Sequence, residues 1–121
     1  MAGKLVHFEL PAKDGARART FYGSLLGWKF KDGGMPGMDY FMTEGIEPVA
    51  AVFTDPQGKG PVIYFDVDNI DASIANARKL GGKAEEKMPV PGQGWFAACT
   101  DTEGNNFSLW QADTAAPMPK Q

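Results

Sequence analysis

His7 is the only histidine of this 121-residue chain, and Glu9 follows it at the spacing that puts both on one face of a strand. In the stretch 5–10, Val6, Phe8 and Leu10 share one face while Leu5, His7 and Glu9 share the other. At ~3.3 Å of rise per residue, the His7 and Glu9 side chains start about 6.6 Å apart. An imidazole titrates near neutrality and a neighbouring carboxylate can orient it, so His7 and Glu9 are candidate catalytic groups for acid–base work. The alternation returns in 62–67, where Ile63, Phe65 and Val67 make an apolar face and Tyr64 and Asp66 look the opposite way. His7, Glu9 and Asp66 could share a divalent ion. Equally, Glu9 or Tyr64 can hold His7 in a hydrogen-bonded network, or His7 can be a polar residue lining a ligand pocket.

Aromatic residues supply the second candidate feature. Trp110 shares strand parity with Ser108, whereas Phe107 and Leu109 point the other way to pack under a helix. Aromatic walls around a few polar groups suit planar or amphipathic ligands. Tyr64, Asp66, Ser108 and Trp110 are therefore candidate ligand-binding residues, with Trp95 and Trp28 beside them. For Trp28 and Trp95, filling the core or a dimer seam is an equal alternative. Cys99 sits in the apolar run 96–99 and reads as a buried packing thiol, since no second histidine exists to act as its base.

These residues must be positioned by strands and helices whose signals recur along the chain. After the first strand, Asp14 can cap a helix over about 15–26, with Ala18, Phe21, Tyr22, Leu25 and Leu26 as its buried stripe and Gly27 as its stop. Short strands are expected at 28–30, 39–43 and 49–53, the middle one with Tyr40 and Met42 on one side and Phe41 on the other. A strand at 62–67 follows. A helix over about 70–80, opened by Asp68 or Asn69, then carries Ile70, Ile74, Ala77 and Leu80 as its buried stripe, and Gly81-Gly82 ends it. Strands at 84–88, 95–100 and 106–111 complete the chain, with Gly104 serving a tight reversal. The glycine-rich loops 33–37 and 89–94 are expected to rim the site. The tail, 113–121, reads as loose.

The two halves register on each other: His7 on Val62, Phe8 on Ile63, Leu10 on Phe65, Asp14 on Asn69, Leu25 on Leu80 and Gly27 on Gly82. The order strand–helix–strand–strand–strand therefore occurs twice. The expected class is α+β, two βαβββ modules (about 4–55 and 61–112) within one domain at 4–112. Each module covers one sheet face with a helix, and two open curved sheet faces can enclose a cup.

Composition narrows the partners. A hydrophobic fraction of 43% and an aromatic fraction of 12% fit a folded globular chain. A net charge of −3 and scattered lysines give no footprint for nucleic acid. No apolar leader precedes the first strand, no window reaches a membrane span, and one cysteine cannot form an internal disulfide. These features lead us to expect a cytoplasmic protein.

The stretches 7–10 leading to Asp14, 21–23, 26–28, 67–71 and 101–107 together resemble the vicinal oxygen chelate superfamily of glyoxalases, bleomycin-resistance proteins and extradiol dioxygenases. They are most similar to its glyoxalase-like branch related to lactoylglutathione lyase. The resemblance covers about Lys4 to Ala112 and implies a symmetric homodimer. In the family, metal-binding members place up to four ligands, one each on the first, fourth, fifth and eighth strands. The corresponding positions here are His7, a residue of the apolar strand 49–53, Val62 and Ser108, so only His7 is a good ligand. The preferred expectation is a small-molecule-binding protein without the usual metal and with no favoured cofactor. One alternative is a lyase, isomerase or dioxygenase-like enzyme with an unusual metal site on His7, Glu9 and Asp66. The other is an interaction module whose cup is filled by its own side chains.

Overall fold

The computed structural model describes residues 3–58 and 60–117. Its contacts divide the chain into two compact units, Val6–Val62 and a second built from Ile63–Gln121 together with Met1–Leu5. The first residues go with the second unit because the Gly3 and Lys4 backbones hydrogen-bond to Asp66, Gly3 N–H donating to its carbonyl and its N–H donating to Lys4. In each unit strands and one helix follow in the expected α+β order.

In the first unit, β1 (Leu5–Ala12) leads to α1 (Gly15–Leu26), followed by β2 (Lys29–Asp32), β3 (Tyr40–Glu44) and β4 (Val49–Thr54). β1 pairs in parallel with β4, while β4–β3 and β3–β2 are antiparallel. Asp14 caps α1 as expected, its carboxylate accepting from Arg17 N–H, and Gly27 closes the helix in the left-handed conformation at φ 74°.

The buried stripe of α1 differs from the expected one. Phe21, Leu25 and Leu26 are exposed at 59%, 64% and 51%. The anchor is Arg19, whose guanidinium pairs with both oxygens of Asp39, donates to the Val52 carbonyl and lies 4.1 Å above the Phe41 ring. Gly15 packs against Thr54, and Tyr22 stacks on Trp28 at 5.4 Å. The face meeting the sheet thus runs through Gly15, Arg19 and Tyr22. Hydropathy misassigned it because its central residue is a cation whose charge is neutralised locally.

In the second unit, β5 (Val62–Asp66), α2 (Ile70–Lys79), β6 (Lys83–Ala84), β7 (Met88–Val90), β8 (Gly94–Thr100) and β9 (Asn106–Ala112) follow in order. β5 runs parallel to β9, β9 is antiparallel to β8, and both β6 and β7 pair with β8. The single strand expected at 84–88 is therefore two short pieces. Lys87, between them, reaches away to Asp71 of α2 at 3.0 Å and lies 4.5 Å over the Trp95 ring.

Asn69 is the α2 cap, accepting from Ala72 N–H. Ile70 and Ile74 bury against Ala97, Cys99 and Leu109, with Trp95 and Phe107 packed at the margin. Removing one such isoleucine from water is worth roughly 1.5–3 kcal/mol. Leu80, expected in this stripe, is 70% exposed because α2 ends at Lys79 and Leu80 is already the cap.

Residues 113–116 are held rather than loose. Asp113 N–H donates to Gln93, Gly92 N–H donates to Ala116, and Ala116 is buried. The remainder of the expected loose tail, 118–121, lies outside the described residues.

Candidate functional site

Register assigns the faces. In the first unit His7 pairs with Val49, Glu9 with Ala51, and Ala51 in turn with Met42 of β3. The face opposite α1 therefore carries His7, Glu9, Val49, Ala51, Phe53, Tyr40 and Met42. Tyr40 reaches across β4, where Ala51 offers only a methyl group, and puts its hydroxyl between the two β1 side chains. It donates to Glu9 Oε2 at 2.6 Å and lies 3.0 Å from His7 Nε2.

The phenolic proton points at Glu9, so the Tyr40 hydroxyl ties the carboxylate to the imidazole edge. Burial pushes the His7 pKa below the usual imidazole value, opposed by the Glu9 charge and a hydrogen bond to the Val49 backbone. His7 is thus neutral near pH 7.

The Tyr40 ring is fixed on both sides. It packs 5.3 Å from the Phe53 ring, and Gly33 lies so close that a Cβ there would stand 2.5 Å from Tyr40 Cδ1. Tyr40 is itself 8% exposed. The sequence reading put Tyr40 on one side of its strand but gave it no role. Alternation tells which residues share a face, and only the β3–β4–β1 register shows that this face is also that of His7.

A groove of about 530 Å³ is lined by Lys31, Thr43, Glu44, Ile46, Glu47 and Val49.

In the second unit Tyr64 pairs with Ser108, Asp66 with Trp110, and Trp110 with Phe96 of β8. These residues share the face opposite α2, as the strand parities predicted, since Phe107 and Leu109 pack toward α2. Tyr64 and Phe96 rings are 6.5 Å apart. The Trp110 ring lies over Gly94, where any Cβ would come within 2.7 Å of it. Phe96 is the aromatic of this face that the sequence reading left out.

Trp28 and Trp95 are placed elsewhere. Trp28 stacks on Tyr22 of α1 and meets Phe8 edge-on at 6.3 Å, on the opposite side of β1 from His7. Trp95 packs toward α2, and its Nε1–H donates to Asp113 at 3.1 Å. Cys99 is buried, and burial raises its pKa, which suits packing and not nucleophilic attack.

Comparison with known proteins agrees with this architecture. The family model described as bleomycin resistance protein-like N-terminal matches residues 4–45. A glyoxylase-like domain-containing protein of Didymella fabae is 32% identical over 88% of this chain and 92% of its own length. A Mycobacterium bovis protein provisionally named a glyoxylase is 33% identical over 87% of this chain, which spans 44% of that protein's length. Among solved structures, a glyoxalase/bleomycin resistance protein/dioxygenase superfamily member from Vibrio splendidus aligns at a TM-score of 0.70 and 16% identity. The alignment covers 92% of this chain and 99% of that one. Methylmalonyl-CoA epimerase from Mycobacterium tuberculosis aligns at 0.66 and 16%, covering 97% and 89%. The chain belongs to the glyoxalase/bleomycin resistance/dioxygenase, or vicinal oxygen chelate, superfamily.

Many members of that superfamily bind a divalent metal, so the donor set here is decisive. Of the corresponding positions, Val62 has no donor, Ser108 offers only a hydroxyl, and the β4 residues Val49–Phe53 include no imidazole, carboxylate or amide. His7 and Glu9 are both engaged by Tyr40. Among the described residues no group of three or more His, Cys, Asp or Glu side chains is placed to hold a metal. These residues do not fit the family's ion.

Proposed function

We propose that the chain is a metal-independent binder of a small planar or amphipathic organic molecule, which lies on the open face of the second unit. The observation that carries this reading is one polar and aromatic pair on that face. The Asp66 carboxylate and the Trp110 ring are register partners, with the Tyr64 and Phe96 rings beside them, while Ser108 lies beneath, 2% exposed. An apolar wall with a few convergent polar groups is the ordinary composition of a ligand site. Asp66 suits a ligand with a protonated nitrogen or a hydroxyl donor, and the Trp110 ring suits a flat apolar body.

A fluorescence and calorimetric screen of aromatic and antibiotic-like compounds tests it. Binding should quench tryptophan emission and weaken in Trp110→Ala and Asp66→Asn. A ligand whose affinity neither substitution changes would overturn the assignment. Metal analysis of protein purified without chelator or metal-affinity tag tests the metal-independent part. Stoichiometric metal that disappears in His7→Ala would sink it. We also propose a cytoplasmic location and a homodimer. Light scattering after size exclusion decides the dimer.

The hydrogen-bonded series His7–Tyr40–Glu9 favours a second reading, in which His7 and Glu9 exchange a proton with a bound molecule. Incubating carbonyl compounds that carry an acidic α C–H, thioesters included, in D2O tests this reading. Deuterium incorporation that His7→Ala abolishes is the expected result, and incorporation unchanged by that substitution would exclude the reading.

A further inference from the structure

His7 Nε2 and Glu9 Oε2 lie 4.0 Å apart on the first unit's open face. Two ligands on one divalent ion, at bonds of about 2.1 Å and a tetrahedral angle, stand roughly 3.4 Å apart. A small rotation of the Glu9 side chain would bring this pair to that distance. The Tyr40 hydroxyl occupies the space between them, 3.0 Å from one donor atom and 2.6 Å from the other. We infer that Tyr40 is a metal-excluding residue, whose hydroxyl closes the His7–Glu9 pair to divalent ions of the zinc or nickel type. The inference rests on the metal-independent reading of the protein.

The exclusion has two parts. Ligation needs a free lone pair on Nε2 and on the carboxylate oxygen. Here the Tyr40 hydroxyl stands 3.0 Å from Nε2, in the space an ion shared with Glu9 would need, and gives its proton to Glu9 Oε2 in a short, charge-assisted bond. The hydroxyl also cannot swing aside cheaply. Its ring is 8% exposed, rests against Phe53 and has Gly33 beneath it, so turning the ring would open a void or meet backbone. A metal shared by this pair would therefore have to break the Tyr40–Glu9 bond and displace a packed aromatic ring.

Tyr40→Phe tests this, because it removes the hydroxyl and keeps the ring. Wild-type, Tyr40→Phe and the double variant Tyr40→Phe/His7→Ala are stripped of metal and titrated with Zn2+ against a chromophoric chelator. Losing a charge-assisted hydrogen bond that competes with the ion predicts zinc affinity at least about tenfold tighter in Tyr40→Phe than in wild type. The double variant should lose that gain. Circular dichroism confirms that each protein is folded, and Tyr40→Leu replaces Tyr40→Phe should the latter fail to fold. Equal zinc affinity in wild type and the folded variant overturns the role of Tyr40. Tight stoichiometric zinc in the wild type, lost in His7→Ala, overturns the metal-independent reading instead, so the two failures are distinguishable.

Discussion

The hydroxyl of Tyr40, on β3, lies 3.0 Å from Nε2 of His7, on β1, with the whole of β4 between their backbones. Neither residue is near the other in sequence, and the contact depends on Ala51 being small. Burial keeps His7 neutral near pH 7, and the contact gives the first unit's open face a polar centre.

That neutrality has a consequence for pH. The folded His7 pKa is lowered from 6.5, chiefly by burial, while Glu9 and the Val49 backbone oppose the shift. Above the unfolded value both states are neutral and the group contributes nothing. As pH falls below about 6.5 the unfolded chain takes up the proton first, and stability declines until the folded value is passed. Urea unfolding between pH 8 and 5 should show this decline in the wild type and a flatter profile in His7→Gln. Equal slopes would contradict the buried neutral state.

Arg19 should be worth more than its surface position on α1 implies. Arg19→Ala removes two bonds to Asp39, one to the Val52 carbonyl and the stacking on Phe41, and should cost about 2 kcal/mol in denaturant unfolding. The Arg19 guanidinium, with help from Thr54, holds the Asp39 carboxyl below its usual range. This contribution is present above the unfolded carboxylate value and is lost as pH falls through the folded one. Wild type should therefore lose stability in acid relative to neutral pH more than Arg19→Ala does.

Ile74→Ala probes the α2 core. Ile74 is 7% exposed among Ala97, Cys99 and Leu109, and the cavity left should cost about 2–5 kcal/mol. Leu80→Ala, on a side chain 70% exposed, should change the unfolding midpoint little. A comparable loss from both would mean that Leu80 is covered in solution.

The Trp95–Asp113 bond should control the segment 113–116. Asp113→Ala removes the acceptor for Trp95 Nε1–H and for Ala115 N–H. Hydrogen exchange should then accelerate at 113–116 while the β8–β9 ladder stays protected. Unchanged exchange would assign the hold to the backbone bonds with Gln93 and Gly92 alone.

Cys99 should resist thiol reagents in the native state, being buried with its pKa raised by burial. Its reaction with a disulfide reagent should accelerate on unfolding in urea. Rapid native labelling would contradict its place in the core.

The sequence by itself determined the local pieces. Strand alternation put His7 with Glu9, Tyr64 with Asp66, and Ser108 with Trp110, because period-2 geometry leaves no freedom once a strand is assigned. Asp14, Asn69 and Gly27 marked helix ends through local hydrogen bonds and backbone preference. The repeated order of these pieces was enough to read the family.

Contacts between elements distant in sequence were settled only by tertiary structure. Register across β4 brought Tyr40 to His7, and a neutralised cation, Arg19, turned α1 so that Phe21, Leu25 and Leu26 stay exposed. Trp28 and Trp95, alike in composition to Trp110, went to the helix-covered faces because Tyr22 and Asp113 hold them there. Periodicity reports which side chains share a face. Which face meets which partner is decided by long-range pairing, and no local pattern encodes it.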